Sequence, residues 1–264
     1  MDAADALPGT PASRFARLVL APNPGPMTLG GTNSYVLAAP GADGVVVVDP
    51  GPADDAHLAA LAARPVELIL ITHRHPDHVE GLARLRELTG APSRSADPEF
   101  ASGADPLADG DVVEAAGLRI EALATPGHTA DSVSFVLPGD GEHGAVLTGD
   151  TILGHGSTVV AHPDGSLGDY LASLERLAGF GQATALPAHG PAGAPVGELA
   201  AAYLAHRRAR LEEVRAALAR LGDGASLEAV TDAVYPDVEP AIRFAAEASM
   251  RAQLAYLRAV GAAG

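Results

Sequence analysis

Cysteine and lysine are both missing from the 264 residues. Without cysteine the chain has no disulfide, no thiolate nucleophile and no Cys-based metal site. Without lysine, every charged contact to a phosphate or carboxylate must come from arginine or histidine. Positive charge is scarce overall: 17 Arg stand against 33 acidic residues, for a net charge of −16. Such a balance argues against broad, non-specific nucleic-acid binding, which needs a basic surface. Long apolar runs are lacking too, and none approaches the roughly 20 residues that span a bilayer. Residues 1–11 are acidic and Ala-rich, without the basic flank and apolar core of a secretory signal. A cytoplasmic protein with no membrane partner is the expectation.

What is present is a globular composition, 47% hydrophobic. The length suits one large domain, or one domain with an appendage. Charge is unevenly spread: residues 199–264 hold eight Arg and eight acids, so residues 1–198 carry the whole deficit. Strands are expected over residues 14–21, 34–38, 44–48, 66–72, 118–124, 132–137, 145–148 and 183–186. Helices are expected over residues 54–63, 79–89 (with Leu82, Leu85 and Leu88 on one face) and 167–179. From residue 196 the pattern turns wholly helical, over residues 196–221, 227–234 and 239–260. Gly222-Asp223-Gly224 makes a break, and Ser226 is placed to cap the second of these helices. The organisation read from this is a catalytic domain over 1–195 and a helical region over 196–264.

The chemistry is concentrated in Thr72-His73-Arg74-His75-Pro76-Asp77-His78, directly after the apolar run 66–71. Neutral imidazoles and carboxylates are the ligands a Zn-like divalent ion takes. Pro76 is expected to stop the strand and let the side chains fan out from a loop. Three more strand ends carry the same residue types: His128 after 118–124, Asp150 after 145–148 and His189 after 183–186. Five imidazoles and two carboxylates suffice for two metal ions, and chance clustering at four strand ends is a poor competitor. His57, His143 and His162 are expected to face solvent. His155 and His206 are candidates for the substrate cleft.

His-x-His-x-Asp-His, followed by Gly-His, Gly-Asp and a later His-Gly, resembles the metallo-β-lactamase superfamily over residues 14–190. The resemblance implies an αββα sandwich (α/β, or α+β) with the site at one edge of its two sheets. It implies that His73, His75 and His128 bind one metal, that Asp77, His78 and His189 bind a second, and that Asp150 bridges them. Asp77, His78 and Asp150 are the catalytic residues on this reading. Two divalent ions are implied, Zn first, with Fe and Mn compatible. Such a pair holds a hydroxide at neutral pH and polarises a carbonyl or phosphoryl oxygen, so no protein nucleophile is required. Asp49 matches a position that supports the metals from behind.

Within that superfamily, antibiotic lactamases of the commonest type have Cys where this chain has Asp150, so antibiotic hydrolysis is not expected. The loop from Asn23 to Asn33, the cluster His206-Arg207-Arg208-Ala209-Arg210 and a winged-helix-like tail resemble the lactamase-beta-like protein 2 group, which includes endoribonucleases acting on single-stranded RNA. Hydrolysis of a phosphodiester, a short single-stranded RNA or another small anionic ester is therefore the leading expectation. Asn33, His155, His206, Arg207 and Arg210 are its candidate substrate residues. The alternatives are a thioesterase resembling glyoxalase II and an iron-dependent oxidoreductase of sulfur compounds. A homodimer is compatible with the sequence.

Overall fold

The computed structural model describes residues 7–160, 162–222 and 224–261. Residue 223, in the expected break, and residues 1–6 of the acidic start lie outside that description. A first sheet holds β1 (Thr10–Pro11), β2 (Ala16–Leu20), β3 (Asn33–Leu37), β4 (Val45–Val48), β5 (Val66–Leu70) and β6 (Ser93–Arg94), hydrogen-bonded in that order. β2, β3 and β4 pair antiparallel, whereas β4, β5 and β6 run parallel. β3 and β4 are buried at every position, and the all-valine β4 is the uninterrupted apolar run expected of a strand with both faces covered.

A second sheet holds β7 (Val112–Ala115), β8 (Leu118–Ala124), β9 (Val133–Leu137), β10 (Ala145–Gly149) and β11 (Thr184–Pro187), in spatial order β11-β10-β9-β8-β7. One apolar cluster joins the two sheets, with Tyr35, Leu37, Val46 and Ile69 from the first and Ile120, Phe135, Leu137 and Leu147 from the second. Leu58 and Leu61 of α1 (Asp55–Leu61) and Leu82 and Leu85 of α3 (Leu82–Thr89) close its first side. The outer face of the second sheet, through Val136, Val146 and Ala185, packs on α4 (Leu167–Ala178) and α5 (Val196–Leu221). The result is the expected αββα sandwich.

Local chemistry accounts for most boundaries. Asp54 accepts a hydrogen bond from the His57 amide at 2.8 Å and caps α1, and Ser166 accepts from the Asp169 amide to cap α4. The tail continues from α5 into α6 (Leu227–Val234), a 3₁₀ turn at Pro240–Ile242 and α7 (Arg243–Gly261). Its own small core is Val214, Ala217, Val230, Val234 and Met250. Ala252 of α7 and Leu211 of α5 also join the cluster under the second sheet, so the tail shares apolar packing with the sandwich. Among the described residues the tail has no strand, so its likeness to a winged helix rests on helices alone. No described helix is long and apolar enough to cross a membrane.

Three local expectations need correction. Pro76 does not leave a loop: it sits at the first position of a one-turn helix, α2 (Pro76–Val79), where its missing N–H costs nothing, so Asp77 and His78 project from a helix. The helix expected over 79–89 breaks at Gly81, where a Cβ would lie 2.8 Å from Leu58. Leu88, expected on one face with Leu82 and Leu85, lies off the buried face of α3 and is 46% exposed. His57 is buried at 5% exposure, because α1 lays it beneath the Pro50-Gly51 turn, where its Nε2 meets Ser34 Oγ at 3.0 Å. Burial lowers its pKa, the opposite of a solvent-facing histidine.

Candidate metal centre

The carboxyl ends of β5, β10 and β11 and the end of β8 open onto one edge of the sandwich. There the ligand atoms of His73, His75, His128 and Asp150 all lie within 4.8 Å of one another, as do those of Asp77, His78 and His189. Asp150 also reaches the second group. Its Oδ2 is 3.5 Å from His128 Nε2, while its Oδ1 is 3.3 Å from His189 Nε2 and 3.7 Å from His78 Nε2. Asp77 Oδ2 stands 3.2 Å from both His78 Nε2 and His189 Nε2. All seven residues named from the sequence as ligands therefore converge.

Hydrogen bonds behind the rings decide which nitrogen each imidazole presents. His128 Nδ1 can only donate to the Val159 carbonyl, at 2.6 Å, which leaves Nε2 with a free lone pair. His189 Nδ1 is likewise 3.3 Å from the Gly31 carbonyl. His78 Nδ1 is 2.9 Å from Asp49 Oδ2. Thr72 Oγ1 gives its proton to Asp49 Oδ2 at 2.7 Å, so it accepts from His73 Nδ1 at 3.1 Å. Four rings thus aim Nε2 inward, while His75 presents Nδ1, 3.1 Å from His73 Nε2 and 2.9 Å from His128 Nε2.

Facing lone pairs at these separations repel unless a proton or a cation lies between them, and one His75 proton can serve only one of the two contacts. Two further atoms, His78 Nε2 and Asp150 Oδ1, are buried with no hydrogen-bond partner. Buried polar atoms are rarely left so. The donor set, mixed imidazole and carboxylate, fits divalent ions of the zinc type.

The two groups differ electrostatically. Burial pushes His73 well below the ordinary histidine pKa, helped by the neighbouring His78, His128 and His75. Burial, again with His128, brings His75 down to about 4. In the other group, burial opposes charge, but the carboxylates of Asp77 and Asp49 outweigh it and hold His78 well above the ordinary value. Burial is likewise overcome at His189, chiefly by Asp150 and Asp77. Burial would raise Asp77, yet His78 and His189 hold it below the usual carboxylate range.

Asp49 is the hub behind the centre. It adopts φ of +52°, a left-handed conformation uncommon outside glycine, and thereby turns its carboxylate toward Thr72 and His78. Thr72 N donates to its Oδ1 at 2.8 Å. Replacing Asp49 with Ala frees the His78 ring and the Thr72 hydroxyl together, and an affinity loss of about 10–100-fold for the metal is expected in a chelator-competition titration. Unchanged affinity in a folded variant would show that Asp49 only shapes the turn.

Asn33 does not face the cleft. Its Nδ2 donates to the Pro187 and Gly190 carbonyls, each at 2.9 Å, and so ties down the loop carrying His189. The loop from Asn23 does similar work. Asn23 Nδ2 donates to Thr32 Oγ1 at 3.0 Å, and Thr32 Oγ1 donates to Asp77 Oδ2 at 3.1 Å. Asn23 and Thr32 were not singled out from the sequence as site residues, since a Gly- and Pro-rich loop reveals its turns but not which side chain reaches a distant helix.

A cavity of about 290 Å³ opens over the metal cluster, bounded by His75, Asp77, His128, Asp150 and His189 and walled by Met27, Val159, His162, Phe244, Ala245 and Ala248. A neighbouring cleft of about 350 Å³ shares His128 and Asp150 and reaches His155, His206, Arg207, Arg210 and Tyr235. His155, His206, Arg207 and Arg210 line this cleft beside the centre, Arg207 with its guanidinium buried against the Thr158 carbonyl. Arg208 turns away, 3.3 Å from Glu175. His162, expected in solvent, is half-buried and lines the metal cavity. An isolated histidine before proline carries no periodic signal that could have placed it there. His143 is exposed, as expected.

Residues 27–189 match the family profile described as the Metallo-beta-lactamase superfamily. The chain is 33% identical over 241 residues to a Caenorhabditis elegans protein named Beta-lactamase-like protein 2 homolog, covering 86% of this chain and 79% of that one. It is 35% identical over 182 residues to an Aspergillus fumigatus atrochrysone carboxyl ACP thioesterase, covering 65% of this chain and 55% of the relative. Among solved structures, a metallo-beta-lactamase family protein of Thermus thermophilus superposes with a TM-score of 0.76 at 28% identity, covering 94% of each chain.

Proposed function

The chain belongs to the metallo-β-lactamase superfamily and is a metal-dependent hydrolase, and from that premise we propose that it holds two divalent ions and cleaves a thioester or ester bearing an apolar group. His73, His75 and His128 would hold one ion and Asp77, His78 and His189 the other, with one oxygen of Asp150 turned to each. Ions held there would supply activated water at neutral pH and polarisation of the scissile group's oxygen. The protein's own part is to orient. Asp49, the Val159 carbonyl and the Gly31 carbonyl fix the rings of His78, His128 and His189, and Thr32 steadies Asp77.

The observation that carries the substrate class is the wall of the metal cavity. Met27, Val159, Phe244, Ala245 and Ala248 surround the cluster, and Met27 and Phe244 are 41% and 60% exposed at its rim. Apolar walls favour an apolar acyl group by about 25 cal/mol per Å² buried. The thioesterase name of the Aspergillus fumigatus relative agrees with this reading. A phosphodiester or short RNA is the second reading, with His206 and Arg210 in the adjoining cleft as the groups that would meet it. It is weakened because Arg210 is paired with Glu213 at 2.5 Å, and because burial and the two neighbouring guanidiniums lower the pKa of His206.

Metal-loaded protein assayed side by side on an acyl N-acetylcysteamine thioester, bis-p-nitrophenyl phosphate and a short single-stranded RNA separates the readings. The thioester is expected to exceed both phosphodiesters in kcat/KM by about 100-fold, the discrimination that roughly 3 kcal/mol of apolar contact supplies. Turnover of RNA or the phosphodiester alone would overturn the thioester assignment and leave the metal-dependent hydrolase standing.

A further inference from the structure

Arg207 is 3% exposed, and among the described residues no carboxylate pairs with it. Its Nε is buried without a hydrogen-bond partner. Burying a guanidinium this way is costly, and what the side chain gains is specific: Nη2 donates to the Thr158 carbonyl, and the cation lies 5.1 Å from the Tyr170 ring centroid. The segment it grips is the one behind the metal centre. Thr158 Oγ1 donates to the Asp150 carbonyl at 2.5 Å, and the next carbonyl, that of Val159, receives the His128 Nδ1 proton at 2.6 Å.

The same helix grips the segment again one turn earlier. The Tyr203 hydroxyl meets the Leu153 amide at 3.1 Å and its carbonyl at 3.3 Å. Tyr170, under the guanidinium, donates to the Thr151 carbonyl at 2.7 Å. Residues 150–159 leave β10 without regular structure of their own, and these side chains meet backbone groups at Thr151, Leu153 and Thr158 that no strand or helix satisfies.

We propose that Arg207 is a positioning residue for the metal centre, through which α5 of the tail fixes the Thr158-Val159 backbone and hence the orientation of His128 and Asp150. This rests on His128 and Asp150 being metal ligands, but not on any substrate. The helical tail is then part of the metal scaffold, in addition to walling the substrate cleft.

Zn²⁺ titration of the metal-free full-length protein against a chromophoric chelator tests this without turnover, with circular dichroism to verify folding. Arg207→Met, which keeps volume and removes the donor, is expected to weaken Zn²⁺ binding about 10–100-fold. Arg207→Lys should recover part of the loss. Arg208→Met, which alters the outward-facing neighbour, should bind as wild type does. Thr158→Val removes the hydroxyl bond to Asp150 and should shift affinity in the same direction, so it decides the matter if Arg207→Met fails to fold. Wild-type Zn²⁺ affinity in folded Arg207→Met, or in Thr158→Val should Arg207→Met not fold, overturns the proposal. A lack of hydrolase activity in metal-loaded wild type would instead count against the functional reading.

Discussion

Asp150→Asn will fold and lose about 10³-fold in kcat on any hydrolysed substrate. The substitution keeps the shape of the side chain but removes its charge and replaces one oxygen by an NH₂ that cannot face a cation. In the native chain Oδ2 turns to His128 and Oδ1 to His78 and His189, so both halves of the centre lose a shared anion. Stabilisation by a metal pair is worth several kcal/mol, and about 4 kcal/mol corresponds to that loss. Measuring kcat together with metal content distinguishes two outcomes. Lower metal content accompanying the loss supports a bridging role, whereas full activity in the Asn variant would remove Asp150 from the chemistry.

Removing the metals will lower Tm by about 8–16 °C near pH 8. The figure assumes free metal at roughly 1,000 times its Kd, worth about 4 kcal/mol, and about 2–4 °C per kcal/mol for a chain of this size. The difference will shrink as pH falls, because metal binds the deprotonated ligands. His78 and His189 hold their protons above the ordinary histidine value in the metal-free protein, so their group gives up its ion first, as pH drops through that range. His73 is held neutral by burial and His75 is brought down to about 4, so these two ligands stay free of protons further into acid. Loss of the two ions in separate steps, with the ion among Asp77, His78 and His189 leaving first, is therefore expected as pH falls.

Linkage in the metal-free protein has its own sign. The raised pKa of His78 stabilises the fold below the unfolded value of about 6.5, and this contribution disappears as pH rises through the folded value. His73 and His75 act oppositely, since their lowered values cost stability as pH falls below about 6.5. Differential scanning calorimetry with and without chelator from pH 5 to 8.5 checks both effects. A Tm difference independent of pH would mean that the bound ions do not compete with His78 and His189 for protons.

Much of this centre was legible because its residues are local in sequence or stand at strand ends. His73, His75, Asp77 and His78 follow one valine-, leucine- and isoleucine-rich strand, and His128, Asp150 and His189 each follow another. Strand ends on one edge of stacked sheets converge by topology, so spacing alone pointed to the cluster. Asp49 also stands directly after a strand, β4, but its place behind the metals came from the family resemblance.

What remained hidden depends on packing between distant segments. His57 looked like a surface residue on a short amphipathic helix, yet the Pro50-Gly51 turn folds over it. His162 belongs to a long irregular connection whose course is set by the α5 side chains Tyr203 and Arg207 that hold its earlier part. In sequence Arg207 reads as a candidate substrate residue of the His206–Arg210 cluster. Arg207 turned out buried, and Arg208, its neighbour in the same cluster, exposed. Periodicity cannot separate adjacent arginines when a helix is covered on more than one side.

The central claim is that seven side chains form one two-ion centre sharing Asp150. A crystal structure of the metal-loaded protein, with anomalous scattering recorded at the metal edge, tests it most directly. Two peaks are predicted, one among His73, His75 and His128 and one among Asp77, His78 and His189, each reached by one oxygen of Asp150. A single peak in fully loaded protein at pH 8, with His189 Nε2 and Asp77 Oδ2 still 3.2 Å apart and no ion between them, would contradict it.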